Sequence, residues 1–150
     1  MYDVGREPKL FAPVFARLYR QAVPFSWLVI RLAAGVILFV HGWQKIGHID
    51  GVTANMIKNG IWPPMPVAYL ITTVESLGAL CVALGLFTRF WAAACAIDLA
   101  VITFHILWPK GFTWSQGGYE FMLMWGLIMF AIALRGGGPY SLDRWLGREL

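Results

Sequence analysis

Apolar residues run almost unbroken through four stretches of the chain, at about 25–46, 67–87, 90–108 and 118–134. Each approaches the roughly 20 residues that an α-helix needs to cross the hydrocarbon core of a bilayer. Turn-forming residues separate the stretches. Pro24 opens the first, Pro63-Pro64-Met65-Pro66 precedes the second, and Thr88-Arg89 leaves room only for a tight hairpin between the second and third. Pro109-Lys110-Gly111 follows the third and Gly136-Gly137-Gly138-Pro139 ends the fourth. The pattern predicts an all-α membrane protein, a bundle of four transmembrane helices. Trp27, Trp43, Trp62, Trp91, Trp108 and Trp114 fall near the predicted span ends, where amphipathic rings favour the headgroup region.

Shorter patterns flank the spans. Residues 9–21 carry Phe11, Val14, Phe15 and Leu18 at helical spacing with Lys9, Arg17 and Arg20 as cations, which predicts an amphipathic helix lying on an anionic leaflet. Residues 1–9 are polar and no long apolar run follows at once, so the start does not read as a cleavable signal peptide. Residues 51–59 form a short helix candidate that Gly60 stops. Leu142, Trp145 and Leu146 beside Arg144 and Arg148 repeat the amphipathic theme in the tail. The expected organisation is a tail with an interfacial helix over 1–24, a bundle over 25–134 and an amphipathic tail over 135–150.

Composition excludes the alternatives to a membrane. Of the 150 residues, 59% are hydrophobic and 13% charged, against about 45–50% and about 25% in soluble domains. A soluble fold of this length cannot bury that much apolar surface, and disordered chains are apolar-poor. Two cysteines cannot make a disulfide scaffold. With four spans, Arg6, Lys9, Arg17, Arg20, Arg89, Arg135, Arg144 and Arg148 share one side, while Lys45, Lys58 and Lys110 lie on the other. The positive-inside rule then puts both termini in the cytoplasm. The net charge of +4 is accounted for by topology and lipid attraction, with no nucleic-acid footprint.

Function is sought where the sequence accepts a cost. Arg31, Glu75, Asp98 and Glu120 fall inside predicted spans, and a charge at the bilayer centre costs about 2.5–3.5 kcal/mol on insertion scales. From the helical rise, Arg31, Glu75 and Asp98 are expected within roughly 5 Å of the midplane, and His41, His105 and Glu120 about 8–10 Å toward the outer face. Two layers are therefore expected: a central Arg–carboxylate group and an outer His–Glu group, converging on one polar cavity open to the outer side. Arg31, Gly35, Leu38, Gly42 and Lys45 form one stripe, and Glu75, Ala79 and Ala83 another, as interior faces in membranes should.

Each group also has a plainer explanation. Arg31 with Glu75 or Asp98 can be an ion pair that only fixes helix register, and Lys45 alone can snorkel to the interface. His41 and His105 can hydrogen-bond across helices; their spacing is not a local metal motif, so neither metal nor haem ligation is expected. Cys81 and Cys95 lack a C-x-x-C arrangement and read as small packing residues. Phe121, Trp125 and Phe130 are expected to form a lipid-facing aromatic surface on the fourth span.

Arg31 followed by His41-Gly42-Trp43-Gln44-Lys45 resembles the start of the DoxX family of small membrane proteins. Glu75-Ser76-Leu77-Gly78 and Gly85-Leu86-Phe87-Thr88-Arg89 are similar to its second span and turn. His105, Gly111-Phe112 and Gly117-Gly118-Tyr119-Glu120 are similar to its third loop and fourth span, and Pro139-Tyr140-Ser141-Leu142-Asp143 to its tail. The resemblance covers residues 27–145. It implies a four-helix protein of the bacterial inner membrane with a redox association, since relatives include a subunit of thiosulfate:quinone oxidoreductase. Arg31, His41, Lys45, Glu75, His105 and Glu120 match the family's polar positions; Asp98 departs from a pattern that has an apolar residue or Met nearby.

Three functions stay open. In the first, the chain is a redox subunit binding quinone or a small oxidisable anion, with Glu75, Glu120, His41 and His105 as the catalytic proton acceptors and Arg31, Lys45 and Asp98 binding the substrate. The sequence carries no dinucleotide fingerprint, c-type haem motif or iron–sulfur cysteine set, so quinone or another subunit would carry the electrons. In the second, it is an accessory or scaffold subunit, in a larger complex or a homo-oligomer. In the third, it carries a small molecule or lipid, although no broken-helix pair or inverted repeat is visible.

Overall fold

In the computed structural model, which describes residues 11–149, every regular element is a helix. Helix α1 covers Ala16–Ile46, α2 Ile49–Lys58, α3 Pro64–Leu84, α4 Thr88–Lys110, α5 Glu120–Arg135 and α6 Leu142–Leu146. The α-helical path widens to a π-helical stretch at Val74–Gly78 in α3 and at Ile102–Leu107 in α4. Three helical segments, Pro13–Ile46, Pro64–Leu84 and Thr88–Lys110, are long and apolar enough to cross a membrane. The fourth stretch expected to span forms α5, which has 16 residues and packs along α4. The chain is an all-α membrane protein whose lipid-facing sides carry large apolar residues such as Val29, Leu70, Ile97, Leu127 and Leu134.

The start of α1 does not follow the expected boundary. Pro24 lies inside the helix, and residues 16–21 are its first turns, continuous with the span. A proline removes one backbone donor and frees the carbonyl a turn earlier, a cost that local side chains can offset in membrane helices. The carbonyl freed here is that of Arg20; Ser26 Oγ donates instead to the Val23 carbonyl, at 2.7 Å. No turn residue between Pro13 and Pro24 gives the chain another place to bend. Residues 9 and 10 of the expected interfacial helix lie outside the described residues. At 31 residues α1 is about 46 Å long, so it projects beyond a core of about 30 Å.

Glycines set the packing of α1 on α3. A Cβ at Gly42 would stand 2.3 Å from the Glu75 carbonyl carbon and 2.4 Å from Ser76 N; one at Gly35 would stand 2.7 Å from Ala83 N. Backbone therefore lies on backbone at two points two turns apart, the close approach that small residues permit in lipid. On the other side of the bundle, Leu99 of α4 meets Met129 and Ile132 of α5 in the core. Trp125 belongs to that core, 5% exposed, and does not share a lipid-facing surface with Phe121 and Phe130. The spacing separates it from Phe130, five residues and about 140° away around the helix, while Phe121, one turn earlier, packs edge-on to its ring at 5.1 Å.

The C-terminal segment is built into the bundle at the end where α1 begins. Trp27 Nε1 donates to the Gly136 carbonyl at 2.9 Å, and the Arg135 guanidinium lies 4.4 Å from the Trp27 ring centre, so Trp27 is buried and not an interfacial anchor. Arg31, 1% exposed, donates from Nη1 to the Gly137 carbonyl and from Nη2 to the Tyr140 carbonyl. Asp143 holds the α3–α4 turn. Its Oδ1 accepts from Phe87 N at 2.7 Å, and its Oδ2 accepts from Thr88 N at 2.9 Å and Thr88 Oγ1 at 2.6 Å. Phe87 has φ 46°, a left-handed conformation that a bulky residue adopts only when its surroundings impose it. The Asp143 carboxylate supplies that constraint and caps α4. Asp143→Ala should destabilise the protein by about 2–4 kcal/mol, the scale for removing a charged acceptor from buried donors. Thermal unfolding in detergent measures this, and an unchanged melting temperature would show the cap to be dispensable.

Candidate functional site

The contact at Gly42 determines what lies above it. Lys45 follows Gly42 by one helical turn and Glu75 is the residue whose peptide Gly42 touches, so the two side chains meet. Lys45 Nζ donates to Glu75 Oε1 at 2.6 Å and stands 2.6 Å from Oε2, which has no aligned donor of its own. Glu75 sits in the π-helical stretch of α3 and is 3% exposed, while Lys45 is 30% exposed. π-Helical insertions recur at functional sites, where they re-aim a side chain. Across from them on α4, Asp98 is buried beside Glu75 and within the field of Lys45, with no partner on Oδ2. One cation thus faces two carboxyl groups.

This cluster opens into a cavity of about 580 Å³ at the α2 end of the bundle. His41, Gln44, Lys45 and His48 come from the end of α1 and the turn after it, Asn55 and Met56 from α2, Asp98 and Lys110 from α4. Helix α2, predicted from residues 51–59, roofs the cavity; Gly60, at φ 69°, lets the chain leave it. His41 reaches the cavity with its ring edge-on to Trp125 at 5.9 Å. Gln44, His48, Asn55 and Lys110 were not singled out in the sequence, because their polarity at a span end reads as ordinary interfacial solvation.

Of the residues chosen from sequence, the structure brings together His41, Lys45, Glu75 and Asp98. It does not bring Arg31. The α1–α3 register sets Gly42 opposite Glu75 and Arg31 opposite Gly85, where a Cβ would stand 2.4 Å from Arg31 Nη1. Arg31 is therefore 11 residues along α1 from the level of Glu75, about 16 Å. The expected central Arg–carboxylate group is replaced by Lys45 with the two acids, and Arg31 is spent on carbonyls at the other end. The outer His–Glu group does not assemble either. His105 is exposed and pairs its Nε2 with the Asn59 carbonyl at 3.0 Å, tying α4 to the end of α2. Glu120 accepts from Trp114 N at 3.4 Å and steadies the loop before α5. Among the described residues no group of three or more histidine, cysteine or acidic side chains is placed to hold a metal ion. Cys81 and Cys95 are buried, unbonded thiols, and Cys95 Sγ lies 3.6 Å from the Val74 carbonyl.

Breaking a buried pair on one side strands the other charge, at about 3–5 kcal/mol. Lys45→Met should lower stability on that scale, and Lys45→Met with Glu75→Met should recover most of the loss. A double-mutant cycle in thermal unfolding measures the coupling; additive losses would show that the pair does not interact. Gly42→Ala should separate α1 from α3, because the clash is with backbone, and should destabilise as the Lys45 variant does.

Comparison with known proteins follows from this geometry. The family model described as DoxX matches residues 26–108, from within α1 to beyond Asp98 and His105. The protein named "Putative oxidoreductase CatD" from Bacillus subtilis (strain 168) is 31% identical over 118 residues, covering 77% of this chain and 83% of its own. The one named "Inner membrane protein YphA" from Escherichia coli (strain K12) is 30% identical over 131 residues, 82% of this chain and 91% of its own. No solved structure matches. With its helical membrane fold and both of these matches spanning most of its length, the chain belongs to the DoxX family.

Proposed function

We propose that this protein is a redox-associated membrane subunit that binds the head group of a quinone or quinol in the cavity beneath α2. The observation that carries the reading is the Lys45–Glu75–Asp98 cluster, of which Lys45 and Asp98 line the cavity and Glu75 lies buried behind Lys45, with Asp98 Oδ2 unpartnered. A quinol gives up two protons with its two electrons, so its site needs acceptors for protons and a donor for the carbonyl oxygen of the quinone. Asp98 Oδ2 accepts from a hydroxyl and Lys45 Nζ donates to a carbonyl, while the carboxyl groups of Asp98 and Glu75 take up the protons that the quinol releases. His41 passes protons to water in the cavity. His105 and Glu120 act as positioning residues, through α2 and the 111–118 loop. The electrons pass to an acceptor on a partner subunit. The name of the Bacillus subtilis relative supports redox chemistry.

The second reading, a scaffold subunit in a larger complex or a homo-oligomer, is favoured by the apolar groove of about 790 Å³ between α4 and α5, bordered by Phe90, Phe104, Phe130 and Leu134. Purified protein in nanodiscs should quench on adding a short-tailed quinone analogue, with affinity reduced at least about tenfold in Glu75→Gln and Asp98→Asn. Absence of binding to the wild type would reject the quinone site; retained cellular phenotype in Lys45→Met with Glu75→Met would favour the scaffold.

The same reading places the protein in the bacterial inner membrane with both termini cytoplasmic, on the positive-inside rule and the name of the Escherichia coli relative. The native thiols are buried and give little background. Ser115→Cys should react with an impermeant maleimide added to intact spheroplasts and Arg148→Cys only after lysis. The reverse pattern would invert the topology.

A further inference from the structure

Asp98 borders two spaces. One is the polar cavity under α2; the other is a cleft of about 290 Å³ between α3 and α4. Val67, Leu70 and Val74 of α3 and Ala94 and Ile97 of α4 line the cleft, and Asp98 is its sole charged side chain. Ile61, Ile71, Asp98 and Val101 line both spaces, so the two share a boundary. The mouth of the cleft lies on the lipid-facing side: Leu70 is 62% and Ile97 67% exposed. Its opening exists because Ala94 stands one turn before Asp98, where a larger residue would fill it. At its inner end is Asp98, a residue 8% exposed whose buried Oδ2 has no hydrogen-bond partner.

We propose that this cleft is a lipid-side entrance through which a neutral, hydroxyl-bearing amphiphile delivers its head group to Asp98 while its apolar body stays between α3 and α4. Charge decides the class of ligand. Two carboxyl groups against one lysine repel an anionic head, and the apolar walls give a cationic head nothing to pair with before Asp98. A hydroxyl donates to the unpartnered oxygen and leaves the charge balance as it was. An unfilled crevice facing lipid gains contacts when an apolar chain occupies it. The proposal rests on the quinol reading above only for the identity of the head; the entrance itself is a property of the cleft.

The test uses the full chain in phosphatidylcholine vesicles with an octanol that carries a diazirine, irradiated and mapped by peptide mass spectrometry. Adducts are expected at Leu70, Ile97 and Val101. They should fall about tenfold in Ala94→Trp, which fills the cleft, and rise in Ile97→Ala, which widens its mouth. Adducts spread evenly over the exposed helix faces, unchanged in both variants, would overturn the entrance. A second arm compares a decyl-tailed quinol with the same quinol lacking the tail. Loss of the tailed ligand alone in Ala94→Trp supports the lipid route, and equal loss or retention of both argues against it. If the diazirine octanol labels the cleft and neither quinol binds, the entrance stands and the quinol reading falls.

Discussion

The approach of α1 to α3 governs the rest of the molecule. Lipid is as apolar as the side chains it surrounds, so helices associate in it through close packing rather than through expulsion of water. Gly35 and Gly42 remove the side chains that would hold the two backbones apart, and the contact they make allows a single register. That register carries Lys45 to Glu75 at one end and Arg31 past Gly85 to the C-terminal carbonyls at the other. Neither charged group could be satisfied if α1 slid by one turn, because both partners would then be about 5 Å out of reach.

The two ends use charge in opposite ways. At the terminal end Arg31 meets backbone carbonyls and Asp143 meets backbone and hydroxyl donors, so each bonded group is fixed by dipoles on its own chain. The Arg31 Nε left without a partner there is buried inside the clamp. At the α2 end the acids outnumber the cation, an oxygen is left over, and open space adjoins it. Surplus hydrogen-bonding capacity next to a cavity is what distinguishes a binding region from a clamp.

The four apolar stretches, a tight turn between the second and third, the short helix ended by Gly60 and the small-residue faces of α1 and α3 were legible in the sequence, because each depends on local pattern; the turn itself falls at residues 85–87, with Thr88-Arg89 already the first residues of α4. The partners of the charges were not. Depth read from span midpoints assumes that all helices are centred on one plane, whereas α1 extends well beyond its predicted start and places Arg31 at a level different from Glu75. Lys45 looked like an interfacial cation because its distance from Glu75 depends on that same register. Asp143 appeared only as the end of a family-like motif, with no sign of its role: its donors are 55 and 56 residues away. Asp98, which departs from the family pattern, was found from depth and helical face alone.

The Arg31 clamp also bears on how the chain is made. Its acceptors, Gly137 and Tyr140, lie 106 and 109 residues downstream. During synthesis the first helix therefore enters the bilayer with a guanidinium whose final partners do not yet exist. Until α5 has inserted and the glycine-rich segment has folded back, that charge must be borne by water, lipid headgroups or the insertion machinery. Residues that emerge more than a hundred positions later thus complete the first helix, and the segment after α5 closes the assembly of this small bundle.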